Sequence, residues 1–211
     1  MNGRTRVKVC GITTPDDAAA AIEAGADAIG FVFVPDSPRF IDPDDAAAIL
    51  DALPPFVTAV GVVRDLGVDA FSELEQRCPC HLMQLHGREN EKTVAACGPC
   101  IKAFRYEEAT IRSQLDRWEP LDAVDAVLID GSDGGRGETF DWNALAAHLG
   151  DDYEKPVILA GGLHPGNVAE AIRAVRPWAV DVSTGVESQP GAKDPEKLAA
   201  FIQAVRHADA H

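Results

Sequence analysis

Runs of apolar residues rich in Val, Ile and Phe alternate along this chain with Ala-rich segments whose apolar positions recur at helical spacing, eight times over. The apolar runs predict strands at 6–10, 28–34, 58–63, 81–85, 101–104, 126–130, 157–160 and 179–182. The periodic segments predict helices at 15–24, 43–52, 68–77, 89–96, 108–118, 142–149, 165–175 and 195–205. Pro15, Pro43, Pro165 and Pro195 each fall in a first helical turn, where a missing N–H leaves no bond unmade. Strands that are apolar on both faces belong to a buried parallel sheet. Eight strand–helix units in succession favour closure, so the expected fold class is α/β, a (β/α)8 barrel with a closed parallel sheet, spanning 1–211 as one domain. A doubly wound open sheet is the alternative; it would place a Gly-rich nucleotide loop after the first strand, and Cys10-Gly11-Ile12-Thr13 is not one.

Composition narrows the partners. The chain has 211 residues, a length that suits one domain with a full core. Its 34 acidic residues outnumber 19 basic ones for a net charge of −15, which argues against nucleic acid or an anionic membrane surface. Neither a secretory leader pattern nor an apolar segment of membrane-spanning length is present, so a cytoplasmic enzyme is expected. The five cysteines, Cys10, Cys78, Cys80, Cys97 and Cys100, are expected to be free thiols. The last four precede the fourth and fifth strands, which puts them at the bottom of a barrel; zinc binding or a disulfide is the alternative there.

In such a barrel the C-terminal ends of the strands surround the catalytic mouth. Here they carry Cys10, a loop with Arg39, Arg64-Asp65, His86, Arg105, Asp130, Gly161-Gly162 and Ser183-Thr184-Gly185. That ring suits acid–base chemistry on a phosphorylated anion. Residues 157–167 (VILAGGLHPGN) and 179–187 (AVDVSTGVE) are strands that break into small residues, letting backbone N–H groups converge on an oxyanion. The expected phosphate contacts are Gly162, Ser183, Thr184 and Gly185, with Gly161 and Gly135 nearby. The loop 131–138 carries four glycines and either folds over the substrate or is a slack connection.

Residues 7–13 (VKVCGIT), 25–35 (GADAIGFVFVP), 84–87 (QLHG), 134–142 (GGRGETFDW), 161–168 (GGLHPGNV), 180–187 (VDVSTGVE) and 191–194 (GAKD) resemble, in order and spacing, the motifs of the phosphoribosylanthranilate isomerases. After the third strand, where that family usually has an aromatic residue and an Asn, this chain reads Val63-Arg64-Asp65. The resemblance implies an Amadori rearrangement in tryptophan biosynthesis, in which N-(5-phosphoribosyl)anthranilate becomes the corresponding 1-deoxyribulose 5-phosphate. It implies a small phosphorylated substrate, no cofactor and no metal. By position, Cys10 matches the family's base and Asp130 its acid, and Arg39 the partner of the anthranilate carboxylate, in a bidentate role that Lys could not copy. A surface pair with Asp42 or Asp44 is the alternative for Arg39, and a helix cap or turn for Asp130.

His86 reads as a ligand contact or polar core residue, because both proton-transfer roles are already filled. Asp181, also matched in the family, either hydrogen-bonds a substrate hydroxyl or braces the barrel. Lys8 either lowers the pKa of the Cys10 thiol or is a satisfied core lysine. Other readings are a barrel that binds a sugar phosphate without turning it over, or another phosphate-binding enzyme such as a pentose-phosphate epimerase or indole-glycerol-phosphate synthase. The epimerase would want metal-binding histidines and the synthase a catalytic lysine with carboxylates, and neither set is evident.

A free thiol has a pKa near ~8.5 and an Asp carboxyl one near ~3.9, so the assigned roles require the first to lose and the second to keep a proton. A bell-shaped rate profile is the expected outcome. A rate that stays flat from acid to mildly alkaline pH, with chemistry limiting, would contradict the assignment.

Overall fold

A computed structural model of the chain describes residues 4–131, 139–150 and 152–210. Eight strands, β1 (Arg6–Cys10), β2 (Ala28–Val32), β3 (Thr58–Val63), β4 (Leu82–Leu85), β5 (Cys100–Arg105), β6 (Val124–Asp130), β7 (Val157–Ala160) and β8 (Ala179–Val182), close into a barrel in sequence order. Every neighbouring pair is parallel, and β1 bonds to both β2 and β8. Between and after them run α1 (Pro15–Ala24), α2 (Pro43–Asp51), α3 (Val68–Arg77), α4 (Glu91–Cys97), α5 (Ile111–Trp118), α6 (Trp142–Leu149), α7 (Val168–Val175) and α8 (Pro195–Asp209). The expected closed (β/α)8 barrel is the architecture observed, and the open sheet is excluded.

Side chains alternate across each strand, and this sorts the core into two layers. Along β6, Val127 and Ile129 point outward into the layer beneath the helices, with Phe31, Leu85, Trp118 and Phe201. Ala126 and Leu128 point inward and meet Ile101, Ile158 and Ala160 inside the barrel. Asp130 has the parity of Leu128, as Cys10 has that of Lys8, so both chemical groups rise from the inner face at the top of their strands.

Helix starts follow local chemistry. Thr14, Asp42, Asn90, Asp141 and Asp194 each accept a hydrogen bond from a backbone N–H of the first turn. Pro15, Pro43 and Pro195 occupy first turns as predicted, whereas Pro165 does not. There the Asn167 side chain accepts from His164 N at 2.8 Å and donates to Gly162 O at 2.9 Å, a turn that delays α7 to Val168. Likewise α4 starts at Glu91, later than its pattern suggests, because Glu89 is drawn inward to Lys102 Nζ at 2.7 Å. The strand predicted at 28–34 ends at Val32. α8 runs on to Asp209, whose carboxylate accepts from Thr5 N at 2.9 Å and Thr5 Oγ1 at 2.6 Å and ties the last helix to the lead-in of β1. A short hairpin of β9 (Glu187–Gln189) and β10 (Ala192–Lys193) follows β8, without a pattern that announces it.

Phe31 is fully buried between barrel and helices. Phe31→Ala should lower the unfolding free energy by about 3–5 kcal/mol, read from the denaturant midpoint at constant slope. A loss under about 1 kcal/mol would mean that this layer is loosely packed.

Candidate active site

Cys10, Arg39, Arg64, His86, Asp130 and Asp181 line one cavity of about 200 Å³ at the C-terminal end of the barrel. The two residues assigned to proton transfer thus share a mouth, delivered by β1 and β6. Space for the thiol comes from the neighbouring strand. Gly30 lies opposite Cys10, and a Cβ on it would sit 2.8 Å from Cys10 Sγ. On the far side, a Cβ at Gly161, which has φ +89°, would meet Gly131 N and lie 2.8 Å from Asp130 Oδ1. Glycine is required there both for the backbone angle and for the room.

Beneath the thiol, Lys8 Nζ meets Asp181 Oδ1 at 2.9 Å, with both side chains nearly buried. Burial works against the Lys8 charge, but Asp181 and the Cys10 thiol more than offset it, so the ammonium holds its proton above the ordinary lysine range. The thiol moves the other way from the depressed pKa that its role suggests. Burial pushes Cys10 up, and the opposing pull of Lys8 is spent largely on Asp181, whose own charge disfavours the thiolate; Lys193 pulls down without reversing the balance. In the ligand-free mouth the thiol is therefore protonated at neutral pH. Lys8 points into the barrel, as one of its two readings had it, and its first partner is a carboxylate.

His86 directly follows β4, with its Nε2 at 3.6 Å from Asp130 Oδ2. Burial first, then the positive charges of Lys8, Arg64 and Lys102, push its pKa down to about 4, so the ring is neutral at pH 7. Gln84 Nε2 lies 2.9 Å from His86 Nδ1. With the amide nitrogen donating, the ring proton sits on Nε2, the edge toward Asp130. Gln84 itself is buried in the barrel, and its Oε1 has no hydrogen-bond partner among the described residues.

Arg39 is buried, and its partner is neither Asp42 nor Asp44, which engage Arg77 at 2.9 and 3.0 Å. Its Nε and Nη2 donate to Glu187 at 2.7 and 2.8 Å in a bidentate pair. Nη1 is the donor that Glu187 leaves uncommitted. The Arg39 stem lies against Gly11, whose φ of +79° and missing Cβ let the Cδ approach. Lys193, from β10, closes the network: its Nζ donates to Glu187 Oε1 at 2.9 Å and to Cys10 O at 2.6 Å. Glu187 and Lys193 lay within matched motifs but had no role until the hairpin folded them back beneath the mouth.

The expected phosphate residues converge. Gly161 and Gly162 both have positive φ, and a Cβ on Gly185 would run into the Leu163 carbonyl, so the β7 and β8 loops press together. Ser183 lines the cavity, and Thr184–Val186 form a single 3-10 turn directly after it. Gly135 lies outside the described residues.

At the opposite end, Cys78 and Cys80 precede β4, while Cys97 ends α4 and Cys100 starts β5. All five thiols are unpaired, with Cys78 Sγ and Cys80 Sγ 3.7 Å apart. Among the described residues no three His, Cys, Asp or Glu side chains are grouped to hold a metal ion, and no helix is long and apolar enough to cross a membrane.

Residues 7–204 match the family model described as N-(5'phosphoribosyl)anthranilate (PRA) isomerase. The N-(5'-phosphoribosyl)anthranilate isomerase of Citrifermentans bemidjiense is 46% identical over 206 residues, covering 94% of this chain and 95% of that one. The enzyme of that name from Pseudomonas fluorescens is 47% identical over 207 residues, covering 95% and 98%. The crystal structure of phosphoribosyl anthranilate isomerase from Thermus thermophilus superimposes with a TM-score of 0.87 at 40% identity, covering 96% and 99%. A phosphoribosyl anthranilate isomerase in complex with reduced 1-(o-carboxyphenylamino)-1-deoxyribulose 5-phosphate superimposes with a TM-score of 0.86 at 37% identity, covering 96% and 99%.

The neutral imidazole is directly testable. The NMR shift of the His86 ring should stay constant from pH 8 down to pH 5, with its inflection near 4. An inflection near the unperturbed ~6.5 would show that the site lacks the burial and positive field described.

Proposed function

The chain belongs to the N-(5'-phosphoribosyl)anthranilate isomerase family, and on that footing we propose how its own side chains divide the work of the isomerisation in tryptophan biosynthesis. The reaction turns an aminoaldose into an aminoketose. Asp130 is the acid and Cys10 the base, and the observation that carries this is their common cavity, with each group on the inner face of its strand. Asp130 gives its proton to the furanose ring oxygen as the C1′–O bond breaks, and the anilino nitrogen lone pair forms the C1′ iminium. Cys10, its own thiol proton released to solvent, then takes the C2′ proton as a thiolate; the C2′–H electron pair makes the C1′–C2′ double bond and neutralises the nitrogen. Proton return at C1′ and loss of the 2′-hydroxyl proton yield the ketone.

The electrostatics of the mouth impose an order on these steps. Burial and Asp181 keep the thiol protonated in the empty site. A dianionic phosphate and a carboxylate do nothing to favour a thiolate. The iminium does: its positive charge lies one bond from C2′ and favours both a negative sulfur and a weakened C–H bond. Acid therefore acts before base. Neutral His86, with Nε2 facing Asp130, holds that carboxyl without competing for its proton.

Binding falls to the rest of the ring. The phosphate rests on Gly162, Ser183, Thr184 and Gly185, supported by two left-handed glycines and the contact of the two loops. Arg39, held side-on by Glu187, offers Nη1 to the anthranilate carboxylate. Asp181 supports Lys8 under the thiol, and Gln84 Oε1 is an acceptor for a ribose hydroxyl. The chain acts as one domain in the cytoplasm on a small phosphorylated substrate.

Cys10→Ala and Asp130→Asn should each lower kcat by about 10²–10⁴ while the reduced product analogue still binds. Wild-type kcat in either variant would remove that residue from the reaction. Arg39→Ala should raise KM well beyond any change in kcat, and an unchanged KM would take it out of the site. Because the thiol must lose a proton and its pKa is raised, kcat/KM should go on climbing beyond pH 8; a plateau complete by pH 7 would contradict the assignment.

A further inference from the structure

Lys102 stands where the alternation of β5 calls for an apolar residue. Ile101 and Ala103 point into the barrel, so Lys102 points outward beneath the helices, opposite Leu85 and with Nζ 5.6 Å from the centre of the Trp118 ring. Its side chain is almost fully buried. A leucine or methionine would fill such a place without withdrawing an ammonium from water. What the ammonium does there is bind main chain. Its Nζ lies 3.1 Å from Leu85 O, 2.9 Å from Gly87 O and 3.0 Å from Ala103 O, beside Glu89 Oε2 at 2.7 Å.

Leu85 and Gly87 are the two neighbours of His86. Lys102 therefore holds the backbone on both sides of the imidazole, and Glu89 completes the grip. The Glu89 carboxylate accepts from Gly87 N at 3.0 Å and from Asp65 N at 2.9 Å, which ties the loop after β4 to the loop after β3. Asp65 is kept in a left-handed conformation, φ +51°. A Cβ on Gly87 would lie 2.6 Å from Asp65 N, so the two loops are in direct contact. His86 N itself donates to Val63 O at 2.8 Å. Neither Lys102 nor Glu89 lines the cavity that holds Cys10 and Asp130, so neither meets the reacting atoms.

We propose that Lys102 and Glu89 are positioning residues for the acid step: by gripping the peptide on both sides of His86 they hold its Nε2 edge against Asp130 and so align the carboxyl that protonates the furanose oxygen. This rests on the isomerase reading above, in which Asp130 is the acid. The contact that carries the effect is His86 Nε2 to Asp130 Oδ2, at 3.6 Å. A misplacement of an ångström at such a contact can cost about 10²-fold in rate. The acid acts in the transition state, so loss of the grip falls on the rate of chemistry and leaves ligand affinity in place.

The test uses the full chain and a Lys102→Met, Glu89→Gln double variant, which removes both charges together, strands no ion, and keeps an oxygen for the N–H groups of Gly87 and Asp65. The single-turnover rate should fall about 10-fold or more, while the Kd of the reduced product analogue stays within about two-fold of wild type. In a second arm the His86 ring is titrated by NMR without ligand. The charges around it are those of Lys8, Arg64, Lys102, Glu89 and Asp130. Losing Lys102 outweighs losing Glu89, and a freed ring gains water, so the midpoint should rise from about 4 by about one pH unit or more toward the unperturbed ~6.5. A rate within about two-fold of wild type, a deficit carried by affinity instead, or a midpoint that stays near 4 would overturn the proposal, even if the denaturant midpoint falls. Should the double variant not fold, Glu89→Gln alone, whose one oxygen cannot serve both Lys102 and the two N–H groups, should show the same split with a rate about 3-fold or more below wild type; an unchanged rate would refute the grip. The titration needs no turnover, so failure of the isomerase reading remains distinguishable from failure of this one.

Discussion

Closure of the barrel at β1 is the constraint that the site inherits. That strand is bonded on one side to β2 and on the other to β8, with Lys8 opposite Asp181 and Cys10 opposite Gly30. A slip of one residue would turn Lys8 out among the helices and Cys10 away from the mouth. The buried Lys8–Asp181 pair opposes any such slip, because separating two ions in a low-dielectric interior leaves each uncompensated, at about 3–5 kcal/mol. The same pair fixes the electrical setting of the thiol. It keeps a positive charge beneath Cys10 but ties that charge to a carboxylate, so the sulfur stays protonated in the ligand-free mouth.

A second network fastens the mouth from outside the barrel. Glu187 joins Arg39 to Lys193, and Lys193 reaches the carbonyl of Cys10. The loop after β2, the hairpin after β8 and the end of β1 are thereby held to one another. The groups proposed as carboxylate binder, base and phosphate cradle are set at fixed separations before any ligand arrives. Such preorganisation is what proton transfer demands, because a misplaced donor or acceptor loses rate steeply over an ångström.

The sequence was most readable where physics is local. Continuous apolar runs marked all eight strands, and Pro15, Pro43 and Pro195 marked the helix starts they occupy. Cys10 and Asp130 could be placed because each ends an apolar run, and in a barrel the C-terminal strand ends face the mouth. What could not be read depends on contacts distant along the chain. Pro165 missed its helix because Asn167 folded back on His164. The partner of Arg39 lies 148 residues away, and no spacing rule singles out Glu187 among the 34 acids. Gly30 looked like one more small residue of a strand until the opposing thiol showed why a methyl group cannot stand there. The pKa of Cys10 was left open for a related reason: a nearby lysine depresses a thiol only if its charge is not already committed, and here Asp181 commits it.

A crystal structure of this chain with the product analogue reduced 1-(o-carboxyphenylamino)-1-deoxyribulose 5-phosphate addresses the division of labour between Cys10 and Asp130 most directly. With the phosphate on Gly162 and Ser183–Gly185, Cys10 Sγ should stand within about 3–3.5 Å of C2′, and the Asp130 carboxyl within hydrogen-bond reach of the oxygen that closes the furanose ring. An analogue bound with C2′ turned away from the sulfur, or with both groups crowded against the same atom, would contradict it.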